Sequence, residues 1–169
     1  EYYNRERATY DESVDYICDE FRLATQGIYS ADEQSVNYYQ RPTKGAAMAL
    51  IARLRLFQAS PLFNGGAAAR KCFGTWKRKS DGAYYVNQEY NPRRWAVAAA
   101  AAKQLTKMGY ELHTVEADAQ NPYPLASNVP TANFPDGAGN IDPYHSYSDM
   151  FTGEGIIQTN KEFIWAMES

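Results

Sequence analysis

Residues that carry chemistry are scarce in this chain. Only two cysteines, Cys18 and Cys72, and two histidines, His113 and His145, occur in 169 residues. The cysteines share no CxxC or Cys/His spacing, so no zinc site or redox pair is written here, and free, buried thiols are the expected state. No acid lies close enough in sequence to either histidine to mark a relay or a metal pair. Neither Gly65-Gly66 nor Gly137-Ala138-Gly139 continues into a phosphate-cradling motif. No run of about 18 apolar residues is present, so no transmembrane helix is expected. Glu1-Tyr-Tyr-Asn-Arg-Glu6 has no signal-peptide character, and Lys161–Ser169 stops inside an apolar segment. The chain therefore reads as an internal piece of a longer protein.

One absence is local. From Gln34 to Ser80 there is no Asp or Glu, but there are nine Lys or Arg. Within that tract, Arg70-Lys-Cys-Phe-Gly-Thr-Trp-Lys-Arg-Lys79 interleaves basic side chains with Phe73 and Trp76. Such a mixture suits an interaction module that holds acidic proteins or nucleic acid. Its plainer reading is a solvated loop neutralised by acidic neighbours. The overall charge of −3 favours that plainer reading, and no nucleic-acid partner is expected.

Aromatics, in contrast, are abundant: fourteen Tyr, seven Phe and three Trp. Tyr joins a broad apolar face to a polar tip, which suits amphipathic ligands such as sugars and also suits half-buried helix positions.

Three helices are predicted. The first spans about 10–24, opened by a capping box at Thr9 and Glu12, with Tyr10, Val14, Ile17, Phe21 and Ala24 as its buried stripe. The second spans about 43–59, between Pro42-Thr43 and Ser60-Pro61. It is apolar nearly all round, which predicts burial, with Gly45, Ala46, Ala49 and Ala52 on its close-contact side and Leu50, Leu54 and Phe57 as bulk. The third spans about 92–108, with Asn91 as N-cap, Pro92 at the first position and Gly109 as the left-handed stop. Its predicted core stripe is Trp95, Ala98, Ala99, Ala102 and Leu105. The first two helices start about 33 residues apart, near the period of tetratricopeptide-type pairs. The expected class is all-α (mainly α), as helical pairs with long irregular loops.

From 110 to 151 a long irregular loop is expected, since five of the eight prolines fall between Pro122 and Pro143. Its aromatic residues argue for an ordered loop. Asp136 and Asp142 flank a Gly-rich turn, where turn chemistry is the stronger reading over calcium binding or a glycosidase pair. No enzyme signal survives. The segment Asn160–Met167 fits either a short buried strand or a helix start.

Several segments, in order, resemble the SusD/RagB-like family of surface nutrient-binding lipoproteins. They are Thr9–Ile17, Arg41-Pro-Thr-Lys-Gly-Ala-Ala47, Ser60-Pro-Leu-Phe-Asn-Gly65, Trp95 with its alanine run, Gly109-Tyr-Glu-Leu112, Tyr147–Phe151 and Asn160–Ile164. The resemblance makes residues 1–169 an internal segment of a single domain of that family. It implies a non-enzymatic protein without cofactors, lipid-anchored on the outer face of the outer membrane through a Cys not in this chain. Its partner would be a SusC-like TonB-dependent transporter, to which it delivers oligosaccharides or peptides. The family's shared motif residues are scaffold. Ligand residues vary and often follow this kind of helix, which points here to Tyr123, Tyr144 and Tyr147 as ring platforms. Asn121, Asn128 and Asp142 are the matching polar partners. The same tyrosines also suit a role pinning the loop to the helices, and the sequence leaves both open.

Overall fold

The computed structural model describes residues 6–38, 40–152 and 160–165, and these fall into two compact units, Glu1–Met108 and Gly109–Ser169. The first is helical. Helix α1 (Tyr10–Ala24) opens with the expected capping box: Thr9 Oγ1 accepts from the Glu12 amide, and Glu12 accepts from the Thr9 amide at 2.8 Å. A 3-10 turn, Val36–Tyr38, precedes α2 (Lys44–Ala59), which Thr43 caps by accepting from the Ala46 amide. Helix α3 (Gly66–Phe73) was not expected, and α4 (Arg93–Leu105) is shorter than predicted. The N-cap of α4 is Pro92, without a side-chain cap bond, and not Asn91 as expected; Asn91 stands one residue earlier, where its Oδ1 accepts from the Arg93 amide. Turns then lead to Gly109, whose φ of 77° is the predicted left-handed stop.

Helix α2 packs against both α1 and α4. The end-to-end bonds fix direction: Asp11 and Asp15 at the start of α1 meet Gln58 and Arg55 at the end of α2, while Arg94 at the start of α4 reaches Gln58 and Asp11. Each neighbouring pair is therefore antiparallel. Val14, Cys18, Ile51, Ala52 and Ala101 form the core, and Tyr10, Phe21, Met48, Leu54 and Leu105 pack around it.

Three stripes differ from expectation. On α1, Cys18 is buried where Ile17 and Ala24 were predicted, and both of those are exposed. On α2, Gly45, Ala46 and Ala52 are buried as expected, joined by Ala47 and Ile51; Ala49 is only half-buried, and Leu50, Leu56 and Phe57 are exposed. On α4, the inward line is Arg94, Ala98, Ala101 and Leu105, with Trp95 41% exposed and Ala99 and Ala102 exposed. The reason lies in Arg94. Its guanidinium donates to Asp11 (2.6 Å) and to the carbonyls of Gln58 (3.3 Å) and Phe63 (3.1 Å), satisfying the carbonyl end of α2. Drawing Arg94 inward turns Trp95 out.

The exit from α2 explains the Ser60–Gly65 motif. Ser60 Oγ donates to the Phe57 carbonyl (2.6 Å). Phe63 stacks on Tyr10 with ring centroids 4.4 Å apart, and Phe73 follows at 6.1 Å. Asn64, fully buried, donates to the carbonyls of Ala59 and Asn91 and accepts from the Asn91 amide. At Gly65, φ is 69° and an added Cβ would lie 2.2 Å from the Glu89 carbonyl carbon, so only glycine fits.

The second unit is less irregular than the sequence predicts. Strands β1 (Val115–Glu116) and β2 (Ile141–Asp142) pair antiparallel, with Val115 opposite Asp142, and α5 (Pro143–Thr152) follows directly. The Pro/Gly-rich stretch between them is tied internally: Ala138 N–H donates to Pro130 O and Gly139 N–H to Ala132 O. Residues 160–165 form turns, so neither a strand nor a helix starts there, and Ala166–Met167 lie outside the described residues. Cys18 is buried and Cys72 exposed, both free, so the expectation of two buried thiols holds for Cys18 alone.

Candidate functional site

Helix α5 carries the site. Asp142 precedes it as N-cap: its Oδ1 accepts from the His145 amide at 2.9 Å, and its Oδ2 lies 2.7 Å from His145 Nδ1, which corrects the sequence reading that no acid stands near either histidine. These bonds, first the amide and then the ring, hold the Asp142 carboxyl below its ordinary range. Pro143 takes the first helical position, where a missing N–H costs nothing. Ser146 ties the helix to β1 by accepting from the Val115 amide (2.9 Å) and donating to Asp142 O (2.5 Å). His113, whose Nε2 is 3.7 Å from Asp149 Oδ2, completes the underside.

With that underside fixed, the opposite face is aromatic. Tyr144, Tyr147 and Phe151 fall within about 60° of one another on a helix of 3.6 residues per turn. All three are exposed, Tyr147 by 71% and Phe151 by 74%. Tyr123 stacks on Tyr144, with centroids 5.3 Å apart and planes 9° from parallel. His145 meets Tyr144 edge-on, and Tyr147 tilts against Phe151 at 5.1 Å. A parallel ring pair of this kind hides its two inner faces from solvent.

The structure thus brings Tyr123, Tyr144 and Tyr147 into one neighbourhood, though two of them stand on a helix and not in a loop. Asp142 lies beside them at the helix start, already engaged as a cap. Asn121 and Asn128 are exposed, and neither makes a side-chain hydrogen bond among the described residues. Phe151 joins the face without having been singled out. The signal that finds α5 is Asp142-Pro143, an N-cap followed by proline.

The basic tract is largely spoken for. Arg78 bridges Glu12 (2.7 Å) and Asp81 (2.6 Å), Arg70 donates to Gln88 O, and Lys77 sits over the Tyr84 ring. Acidic groups of this same chain thereby neutralise part of it.

Fold and site together define a mainly α-helical chain with an exposed aromatic helix face and, among the described residues, no cluster able to hold a metal ion. Its structure is similar to that of BT4246 from Bacteroides thetaiotaomicron, with a TM-score of 0.62 and 23% identity over 98% of this chain. A structure of selenomethionine BT4246 matches with a TM-score of 0.57 and 24% identity, again over 98% of this chain. In both cases this chain spans 28% of the matched chain, and the likeness is one of fold. No family model matches the sequence, and neither does any curated protein.

Proposed function

We propose that this chain is part of a SusD/RagB-like nutrient-binding lipoprotein in which the α5 face binds oligosaccharide. The observation that carries the reading is the exposed row Tyr144–Tyr147–Phe151 with Tyr123 stacked on its first ring. Large rings gathered on one solvent-facing helix side mark a contact surface, because scattered exposure needs no such alignment. The free amides of Asn121 and Asn128 are the polar partners, bonding hydroxyls while the rings pack against apolar sugar faces. The helical fold shared with BT4246, and the packing roles found for the 60–65 motif, agree with the resemblance on which the family assignment rests. In this reading the parent protein is lipid-anchored on the outer face of the outer membrane. It captures ligand without chemical change and without a cofactor, and delivers it to a SusC-like TonB-dependent transporter.

Isothermal titration of the parent protein with soluble glycans of differing linkage tests this. Tyr147→Ala and Phe151→Ala are each expected to weaken binding roughly three- to tenfold, the range of one aromatic contact. Heat with peptides and none with any glycan would overturn the ligand class. Unchanged glycan affinity in both variants would overturn the site.

A further inference from the structure

A second feature lies in the first unit, on residues the proposed glycan face does not use. A cleft of about 320 Å³ opens between the start of α1 and the segment that follows α3. Its walls are rings: Tyr10, Phe63, Phe73, Trp76 and Tyr85, with Arg7 at the rim. Phe73 and Trp76 meet edge to face at 5.8 Å, and Trp76 remains 52% exposed. The Arg7 guanidinium lies over the Tyr85 ring at 5.8 Å.

Arg22, Arg55, Arg78 and Arg94 each hold a carboxylate; Arg7, like Arg41, Arg53, Arg70 and Arg93, pairs with none among the described residues. The acids nearest in sequence are committed elsewhere. Glu6 accepts from the Ser80 amide and hydroxyl, Asp11 from Gln58 and Arg94, and Glu12 from Thr9 and Arg78. An aromatic-walled cleft near the lower size of small-molecule sites, with one guanidinium in its lining that holds no carboxylate among the described residues, matches a particular chemistry. The ring walls take a flat-faced ring, and the guanidinium takes a carboxylate through paired N–H donors.

We propose that this cleft binds a small ring-bearing monocarboxylate, the ring against Trp76 and Phe73 and the carboxylate on Arg7. Two sources share that chemistry, an aromatic acid and a uronic acid, and the test separates them. A Trp95→Phe, Trp165→Phe form of the chain leaves Trp76 as its single indole. It is titrated with 4-hydroxyphenylacetate, with glucuronate and with the uncharged methyl ester of each.

Saturable change in Trp76 emission with one acid identifies the source. Its ester is expected to bind roughly tenfold or more weakly, the loss of one charge-assisted contact. Arg7→Gln is expected to bring the acid down to the level of its ester while leaving the ester unchanged. Arg7 is exposed, so the variant keeps the fold, which far-UV circular dichroism checks. No saturation by either acid at millimolar concentration overturns the proposal. So does equal binding of acid and ester, or acid binding that Arg7→Gln leaves intact. Because every residue involved lies between 7 and 86, failure here leaves the glycan reading untouched, and the reverse holds.

Discussion

Replacing Gly65 with Ala isolates a close backbone approach that involves no hydrogen bond of its own. At this position φ is 69° and ψ −167°, a region that residues with a Cβ adopt at a cost of about 1–3 kcal/mol. A Cβ there would also sit 2.2 Å from the Glu89 carbonyl carbon, 2.4 Å from its oxygen and 2.6 Å from the Tyr90 nitrogen. All three are backbone atoms, so relief requires moving residues 89–91. That movement breaks the two bonds Asn64 makes to Asn91, each contributing about 1 kcal/mol. The sum is roughly 3–5 kcal/mol. Gly66 is the control, since its φ is 84° but a Cβ there meets nothing within 4 Å. Gly66→Ala should lose only the backbone part, about 1–2 kcal/mol. Urea unfolding of both variants reads the difference. Equal losses at the two positions would refute the close-approach argument, because the φ penalty is common to both.

Arg94→Ala should cost roughly 2–3 kcal/mol by removing the charged partner of Asp11, which keeps only Gln58, and the donor to the Gln58 and Phe63 carbonyls, and Arg94→Lys should not restore it, since one ammonium cannot reach all three oxygens; urea midpoints decide. Trp95→Ala should cost far less than the roughly 3–5 kcal/mol of a core tryptophan, because the ring is 41% exposed, and thermal melts check this. Acid should weaken the fold through Glu12 and Asp81, which Arg78 lowers to about 2 from ordinary values of 4.5 and 3.8. Depressed carboxyls stabilise above their unfolded values and lose that contribution as pH falls, so Tm should drop between about pH 4.5 and 2, and Glu12→Gln with Asp81→Asn should flatten that limb. Ellman's reagent should label Cys72 at once and Cys18 only on unfolding, since burial removes access and pushes the Cys18 thiol up.

Helix starts were legible because capping is local. Thr9 with Glu12, and Thr43 before the small-residue helix, act within one turn and need no tertiary information. Helix faces were less legible. On α4 the alanine run offers almost the same apolar pattern from either side, and the choice is made by Asp11, 83 residues away, which draws Arg94 inward. Helix α3 opens on Gly65 with no side-chain cap and has only eight residues, so it gives no start signal. Strands β1 and β2 are two residues each, too short for any alternation to register. The candidate site was marked in composition, as tyrosines in a Pro/Gly-rich tract, but its geometry was not legible. Tyr144 and Tyr147 align only once Asp142-Pro143 is read as a helix start, and the polar, aromatic run after it lacks the apolar stripe that would prompt that reading.

Asn64, with Gly65 held against Glu89 and Tyr90, makes the stretch from Gly66 to Gln88 a cassette closed at its base. One amide holds both the end of α2 and the backbone entering α4, 27 residues further on, so the two helices meet at a point that the intervening chain does not set. Closing a loop on a fixed point costs little more when the loop grows, about 0.6 kcal/mol for each doubling of its length. Sequences of very different size are therefore able to occupy this port without moving α2 against α4. Here the cassette contributes the Phe73, Trp76 and Tyr85 walls of a cleft, so changes within it are expected to alter the cleft before they move the three-helix frame.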